Sequence, residues 1–182
     1  MELNKKTEDK LKKEVLKYLK EGKPDWDVPH TLSSVDWMRK LIKNEGGDEK
    51  ILITAMYLHD IGYPKMKKGY KWEDILNAKA IHGKKGAKIG LKILKKIGGY
   101  SDKEIKRILY LIETHDELDK ISEKDEILVK EADGLSQIEL DRTIGNLDKE
   151  SHDKFLKNFK EKRMSTFKTK TGQRSIKQLF RG

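Results

Sequence analysis

Ile51-Leu52-Ile53-Thr54-Ala55-Met56-Tyr57-Leu58-His59-Asp60-Ile61-Gly62 decides how this chain folds. From Ile51 to Leu58 only Thr54 interrupts the apolar run, which then ends in an adjacent histidine and aspartate. A helix that is apolar nearly all round belongs at the centre of a fold, with neighbours on every side. Burying an imidazole or a carboxylate without a partner costs several kcal/mol. A metal ion is the most economical single partner for the two together. The rest of the chain is therefore read for further ligands.

Working outward, Asp48 is placed to cap this helix, which spans Glu49 to about Asp60, and Gly62-Tyr63-Pro64 ends it. Upstream, residues 3–20 read as an amphipathic helix with Leu11, Val15, Tyr18 and Leu19 on one face. A second helix opens between Asp27 and His30, with Asp27 as N-cap, and its inward row is Leu32, Val35, Met38 and Ile42. Downstream, one helical stretch covers Trp72 to Ile81. Another starts at His82 or soon after and stops at Gly98-Gly99. Ser101 to Glu104 is a capping box for a helix reaching Thr114. Ser122 or Asp125 opens the next, through Val129, Ala132 and Ile138. Phe155, Leu156 and Phe159 mark one more between Asp148 and Met164. The basic stretch 165–182 carries a weak helical patch at Ile176, Leu179 and Phe180, either a docking helix or a free arm. Strand-like alternation is absent. The expected fold is all-α: one helical bundle over residues 25–145, an N-terminal amphipathic helix (1–24) packing on it, and a C-terminal helix and basic tail (146–182).

The 182 residues suit one domain. Forty-one basic against 31 acidic residues give a net charge of +10. The lysines are spread evenly, as on a solvated surface; the same field would assist the approach of an anionic small molecule such as a nucleotide. Nucleic acid is a second partner class, although zinc-finger spacing and an aromatic-basic stripe are both missing. With no cysteine, disulfides, thiolate zinc sites and thiol nucleophiles are excluded. No run approaches the ~20 apolar residues a membrane span needs. No membrane partner is expected, and the location expected is cytoplasmic. Self-association is left open.

Of five histidines, His30, His59, His82 and His115 each stand at the edge of an apolar stripe. Asp133 follows Val129 by four and so faces inward in mid-helix, where propensity and burial both disfavour it. Taken singly, each inward histidine is more often a hydrogen-bonded core residue. Four such histidines and two such aspartates on several helices make a metal site the better reading.

The ordered set His30, His59-Asp60 and Asp133 resembles the HD superfamily of metal-dependent phosphohydrolases. So do its flanks: Leu58-His59-Asp60-Ile61-Gly62, His82 before Gly86-Ala87, Ile112-Glu113-Thr114-His115, and Glu131-Ala132-Asp133. The resemblance spans about residues 25–140. It implies an all-α HD domain in which His30, His59, Asp60 and Asp133 hold a metal. His82 and His115 match the two extra histidines of the binuclear subgroup, where the carboxylate at Asp60 bridges both ions and acts in catalysis. One or two divalent transition-metal ions are implied (Fe, Mn, Zn, Co or Ni), which suit imidazole with carboxylate. The implied reaction is hydrolysis of a nucleotide or other phosphoester, a dinucleoside polyphosphate among them, by a metal-activated water. Relatives with the same ligands include di-iron oxygenases. A non-enzymatic, metal-containing module that binds nucleic acid or protein is the remaining alternative. Lys84 and Lys85, read as lying on the first turn of a helix, and Lys65 after the Pro64 turn are candidate phosphate-binding groups, or else solvated surface lysines. His152 matches nothing in the pattern and reads as a core or partner histidine.

Overall fold

The structure is a computed structural model that describes residues 2–23, 25–117, 122–139 and 148–181. Eight α-helices and no strand occur among these residues: α1 (Lys5–Leu19), α2 (Asp27–Glu45), α3 (Glu49–Leu58), α4 (Trp72–Ile97), α5 (Asp102–Thr114), α6 (Lys124–Ile138), α7 (Lys149–Lys162) and α8 (Lys170–Leu179). A 3₁₀ turn, Met164–Thr166, joins the last two. The all-α expectation holds. The expected domain boundary at residue 145 lies outside the described residues.

α3 is the axle. Seven of its ten residues, Leu52 to Leu58, are buried, and α1, α2, α4, α5 and α6 all pack on it. Its N-terminus is capped as expected, the Asp48 carboxylate accepting from Ile51 N at 3.1 Å. α2 and α6 form the most extensive helix pair and α4 and α5 the next. The first turn of α2, the middles of α4 and α6 and the C-terminus of α5 surround the C-terminal end of α3, where His59 and Asp60 stand. The predicted capping box of α5 is present: Ser101 N donates to Glu104 Oε2 at 2.7 Å, and Glu104 N to Ser101 Oγ at 3.3 Å.

Three local expectations are corrected. Trp72 to Ile97 is one helix, not two. Its glycines are packing residues rather than breakers. A Cβ on Gly83 would stand 2.7 Å from Glu113 O, and one on Gly62 would stand 2.0 Å from His82 O. The missing side chains let α4 close against α5 and against the turn after Asp60. The helix ends only at Gly98, whose φ of 68° is cheap for glycine alone. Secondly, Asp27 is not an N-cap. Trp26 takes that position with no side-chain bond, and the Asp27 carboxylate turns inward to Lys23 N (2.6 Å) and Lys23 Nζ (3.1 Å). Thirdly, Tyr18, expected on the inward face of α1, is 39% exposed, while Leu11, Val15 and Leu19 carry the packing.

The basic C-terminal stretch docks. Glu131, buried in α6, accepts from Lys168 N (2.6 Å), Thr169 N (2.8 Å) and the Thr169 hydroxyl, which fixes the start of α8. Ile176 and Phe167 join the core.

Candidate metal centre

Each expected ligand arrives on its own element. His30 is in the first turn of α2, His59 and Asp60 follow α3, and His82 is in the middle of α4. His115 caps the C-terminus of α5, and Asp133 is in the middle of α6. All six are buried and fall into two clusters, each compact enough to surround one ion: His30, His59 and Asp133, then Asp60, His82 and His115. Within the first, His30 Nε2 lies 3.1 Å from both His59 Nε2 and Asp133 Oδ1. Within the second, His82 Nε2 and His115 Nε2 are 3.0 Å apart, and Asp60 Oδ1 is 3.7 and 3.6 Å from them. Asp60 also faces the first cluster, with Oδ2 3.5 Å from His30 Nε2 and Oδ1 3.7 Å from His59 Nε2. It therefore stands between the two.

The outer hydrogen bonds fix which nitrogen each ring offers. Nδ1 of His59, His82 and His115 meets the carbonyls of Met56 (2.7 Å), Lys79 (2.8 Å) and Ile112 (2.7 Å). A carbonyl only accepts, so each Nδ1 carries a proton and each ring turns its Nε2 inward, where it can ligate whenever that nitrogen is unprotonated. At His59 and His115 the accepting carbonyls belong to the last turn of a helix, where backbone acceptors lack intrahelical partners. His30 reaches the same state through serines: its Nδ1 donates to Ser136 Oγ (2.8 Å), next to Ser34 Oγ (2.6 Å), and Ser34 donates to His30 O (2.9 Å). Facing lone pairs about 3 Å apart repel unless a cation lies between them. This donor set fits a metal, and such fixed outer bonds are typical of imidazole ligands.

The surroundings are strongly ionic. Asp133 Oδ2 accepts from Arg163 Nη1 (2.6 Å), Gln137 Nε2 donates to both carboxylate oxygens (2.9 Å to Oδ1, 3.0 Å to Oδ2), and Oδ1 also faces His30 Nε2 at 3.1 Å. Arg163 Nη2 also bonds Asp116, whose Oδ1 pairs with Lys79 Nζ at 2.8 Å. Lys23 Nζ sits between Asp27 (3.1 Å) and Asp60 (3.3 Å) and lies 3.4 Å from the centre of the Tyr63 ring. Burial opposes ionisation of Asp60 and Asp133. Lys23 and His59 in the first case, and Arg163 and His30 in the second, outweigh it and hold both carboxyls well below the usual range. Burial and the neighbouring His115 push His82 down to about 4. Around the cavity, Asp27, Asp60, Asp116 and Asp133 face Lys23, Lys79 and Arg163.

One cavity opens onto this centre, lined by Asp60, His115, Asp116 and Asp133, by Lys23, Lys79 and Gln137, and by Trp26, Tyr63, Trp72, Ile75 and Phe155. Lys65, Lys84 and Lys85 are exposed and do not line it. Lys84 borders an outer depression with His82 and Asp116, and Lys65 borders another with Tyr70 and Ile81. Because α4 is continuous, Lys84 and Lys85 lie in mid-helix, and the amide groups of a helix N-terminus are not beside them. His152 is half-buried on α7 and belongs to neither cluster. Asp116, Lys23, Lys79 and Arg163 escaped the sequence reading. Asp116 had a signal, since His115-Asp116 is a second His-Asp dipeptide. The cations had none, being lost among 41 basic residues.

No helix among the described residues is long and apolar enough to cross a membrane. Comparison with curated proteins and with solved structures gave no match. The HD domain family matches residues 28–138, well over half the chain and a span that includes all six candidate ligands. The chain belongs to the HD-domain family, whose members are generally metal-dependent phosphohydrolases.

Proposed function

We propose that this protein hydrolyses a nucleotide or other phosphoester, with His30, His59 and Asp133 holding one divalent metal ion, His82 and His115 a second, and Asp60 shared between them. The observation that supports this most is the pair of converging Nε2 donors in each cluster, fixed by outer hydrogen bonds at the wall of a cavity that also holds Lys23 and Lys79. When bound, such ions polarise a phosphoryl oxygen and lower the pKa of water at neutral pH. The chain's own residues do the rest. Asp60 orients both clusters. Lys23 and Lys79, at opposite carboxylates, are the cations nearest to where a phosphate would lie. Arg163 holds Asp133 by Oδ2 and Gln137 by both oxygens, with Oδ1 facing His30 and His59 as the candidate ligand atom. The exposed Lys65, Lys84 and Lys85 are candidates for drawing an anion toward the cavity rather than for binding it there. A dinucleoside polyphosphate is one candidate among nucleotides.

Metal analysis of protein purified without chelator, followed by a phosphoester panel with each transition metal restored, tests this reading. The expected result is about two ions per chain in the wild type and about one in His82→Ala/His115→Ala, with phosphate or nucleotide released by the loaded wild type. Absence of metal under every loading condition, or of any hydrolysis across the panel, would overturn it. Activity confined to the iron form, with oxygen uptake, would move the assignment to the oxygenase branch.

A further inference from the structure

The cavity has two chemically different ends. Its floor is ionic. Its other wall is carbon: Trp26, Trp72, Ile75 and Phe155. The three rings form one cluster with Phe155 at its centre, edge-on to Trp72 (5.7 Å between centroids) and to Trp26 (6.2 Å). Trp26 in turn stacks on the ligand His30 at 5.6 Å, which ties the wall to the metal centre. Phe155 belongs to α7, outside residues 28–138. The family segment alone therefore leaves this wall without its middle ring. α7 is held in place by Phe159, whose ring packs against Phe167 (6.4 Å) and Phe180 (6.0 Å), and by Arg163 at its C-terminal end, bonded to Asp133.

Resting on the phosphohydrolase reading above, we infer that Trp26, Trp72 and Phe155 form a specificity wall that selects phosphoesters whose leaving group carries a planar aromatic ring. A ring placed there gains offset or edge-to-face contacts with three aromatic neighbours. A polyol or sugar placed there sets hydroxyl groups against carbon without partners, which is unfavourable. The ionic floor takes the phosphoryl group in either case, so the wall acts on the choice between substrates. The planar group is either a nucleobase or a simple aryl ring, and the chemistry of the wall is the same for both.

The test compares adenosine monophosphate, phenyl phosphate and glycerol phosphate on the full-length, metal-loaded protein. Two readouts are taken: kcat/KM, and quenching of tryptophan fluorescence, to which Trp26 and Trp72 contribute two of the three emitters. The wild type is expected to favour at least one aromatic ester over glycerol phosphate by about tenfold or more, and Phe155→Ala to reduce that ratio at least about fivefold. A preference for adenosine monophosphate over phenyl phosphate identifies the nucleobase, and the reverse order the simple ring. Trp72→Leu, at a half-buried position, serves as the second variant if Phe155→Ala does not fold. An unchanged aromatic-to-aliphatic ratio in a folded variant overturns the inference. If no ester is hydrolysed, the phosphohydrolase reading fails. The wall is then judged by fluorescence alone: saturable quenching by adenosine monophosphate or phenyl phosphate but not glycerol phosphate supports it, and equal response to all three refutes it.

Discussion

Replacing Arg163 by Met tests whether the C-terminal segment is part of the metal centre or merely lies on it. Arg163 is buried, with 7% of its side chain exposed, and its guanidinium spans Asp133 and Asp116. Burial alone would lower its pKa, but Asp133 and Asp116 outweigh that and raise it above the ordinary arginine value. Removing one partner of a buried ion pair costs about 3–5 kcal/mol, because the other charge is left desolvated. Here both carboxylates keep some support: Asp116 retains Lys79, and Asp133 retains Gln137 and His30. The lower bound, about 3 kcal/mol, is therefore the expected loss, or about 6–12 °C in Tm for a chain of this length. The melt belongs in chelator, since a bound divalent ion would itself neutralise Asp133. In an Asp116→Asn background one of the two orphaned charges is already gone, and the cost of Arg163→Met should fall by about 1 kcal/mol or more. Arg163→Lys keeps the charge but not the two-armed bond and should fall between wild type and Met. A loss below about 1 kcal/mol for Arg163→Met, or the same loss in both backgrounds, would refute the reasoning.

Two further perturbations separate packing from charge. Gly62→Ala places a methyl group 2.0 Å from His82 O and 2.4 Å from Gly86 N, both backbone atoms that cannot turn aside. The expected cost is about 3 kcal/mol or more, with loss of bound metal as α4 carries His82 outward, and calorimetry with metal analysis measures both. Glu8 accepts from Tyr57 OH and Arg39 Nη2, each at 2.7 Å. Burial pushes its carboxyl up, but these two bonds outweigh burial and hold it below the ordinary value of 4.5. A depressed carboxyl contributes its full stability above the unfolded-state pKa and loses it as pH falls through the folded one. Glu8→Gln should therefore cost about 1–2 kcal/mol at pH 7, kept modest by the part-exposed Arg39, with the gap from wild type closing as the pH is taken below the ordinary 4.5. Urea melts above and below that value check this; a gap that does not change with pH would mean that Glu8 acts through shape alone.

Much of the site was legible because its ligands are anomalies. A carboxylate four residues after Val129 or a His-Asp pair after Leu58 breaks an apolar period, and broken periods can be read in one dimension. The partners of those ligands were not legible, because they break nothing. Lys23 is one lysine among many until the chain folds back and sets it between Asp27 and Asp60. The helix boundary at His82 failed for a related reason. Nothing in the sequence shows that Ile81 and His82 belong to one helix, whereas in the structure Gly83, Gly86 and Gly90 just beyond them are the face on which α4 meets α5 and the turn at Gly62. Only the partner helix reveals why they are small.

The same asymmetry explains the C-terminal segment. Its sequence is basic and weakly amphipathic, and its role depends on two contacts that composition does not encode. Glu131 lies two residues before the ligand Asp133, and its carboxylate holds the start of α8. Arg163, at the end of α7, holds Asp133 itself. α6 is thus gripped at its candidate ligand and two residues before it by chain that lies beyond the family segment. A helix held in this way keeps Asp133 Oδ1 directed at His30 and His59 whether or not substrate is present. It also brings Phe155 to the cavity wall. If Asp133 ligates and the aromatic wall selects substrate as proposed, the two are coupled through one short segment, and substitutions at Arg163 should alter both more than substitutions at the exposed lysines of the same helix.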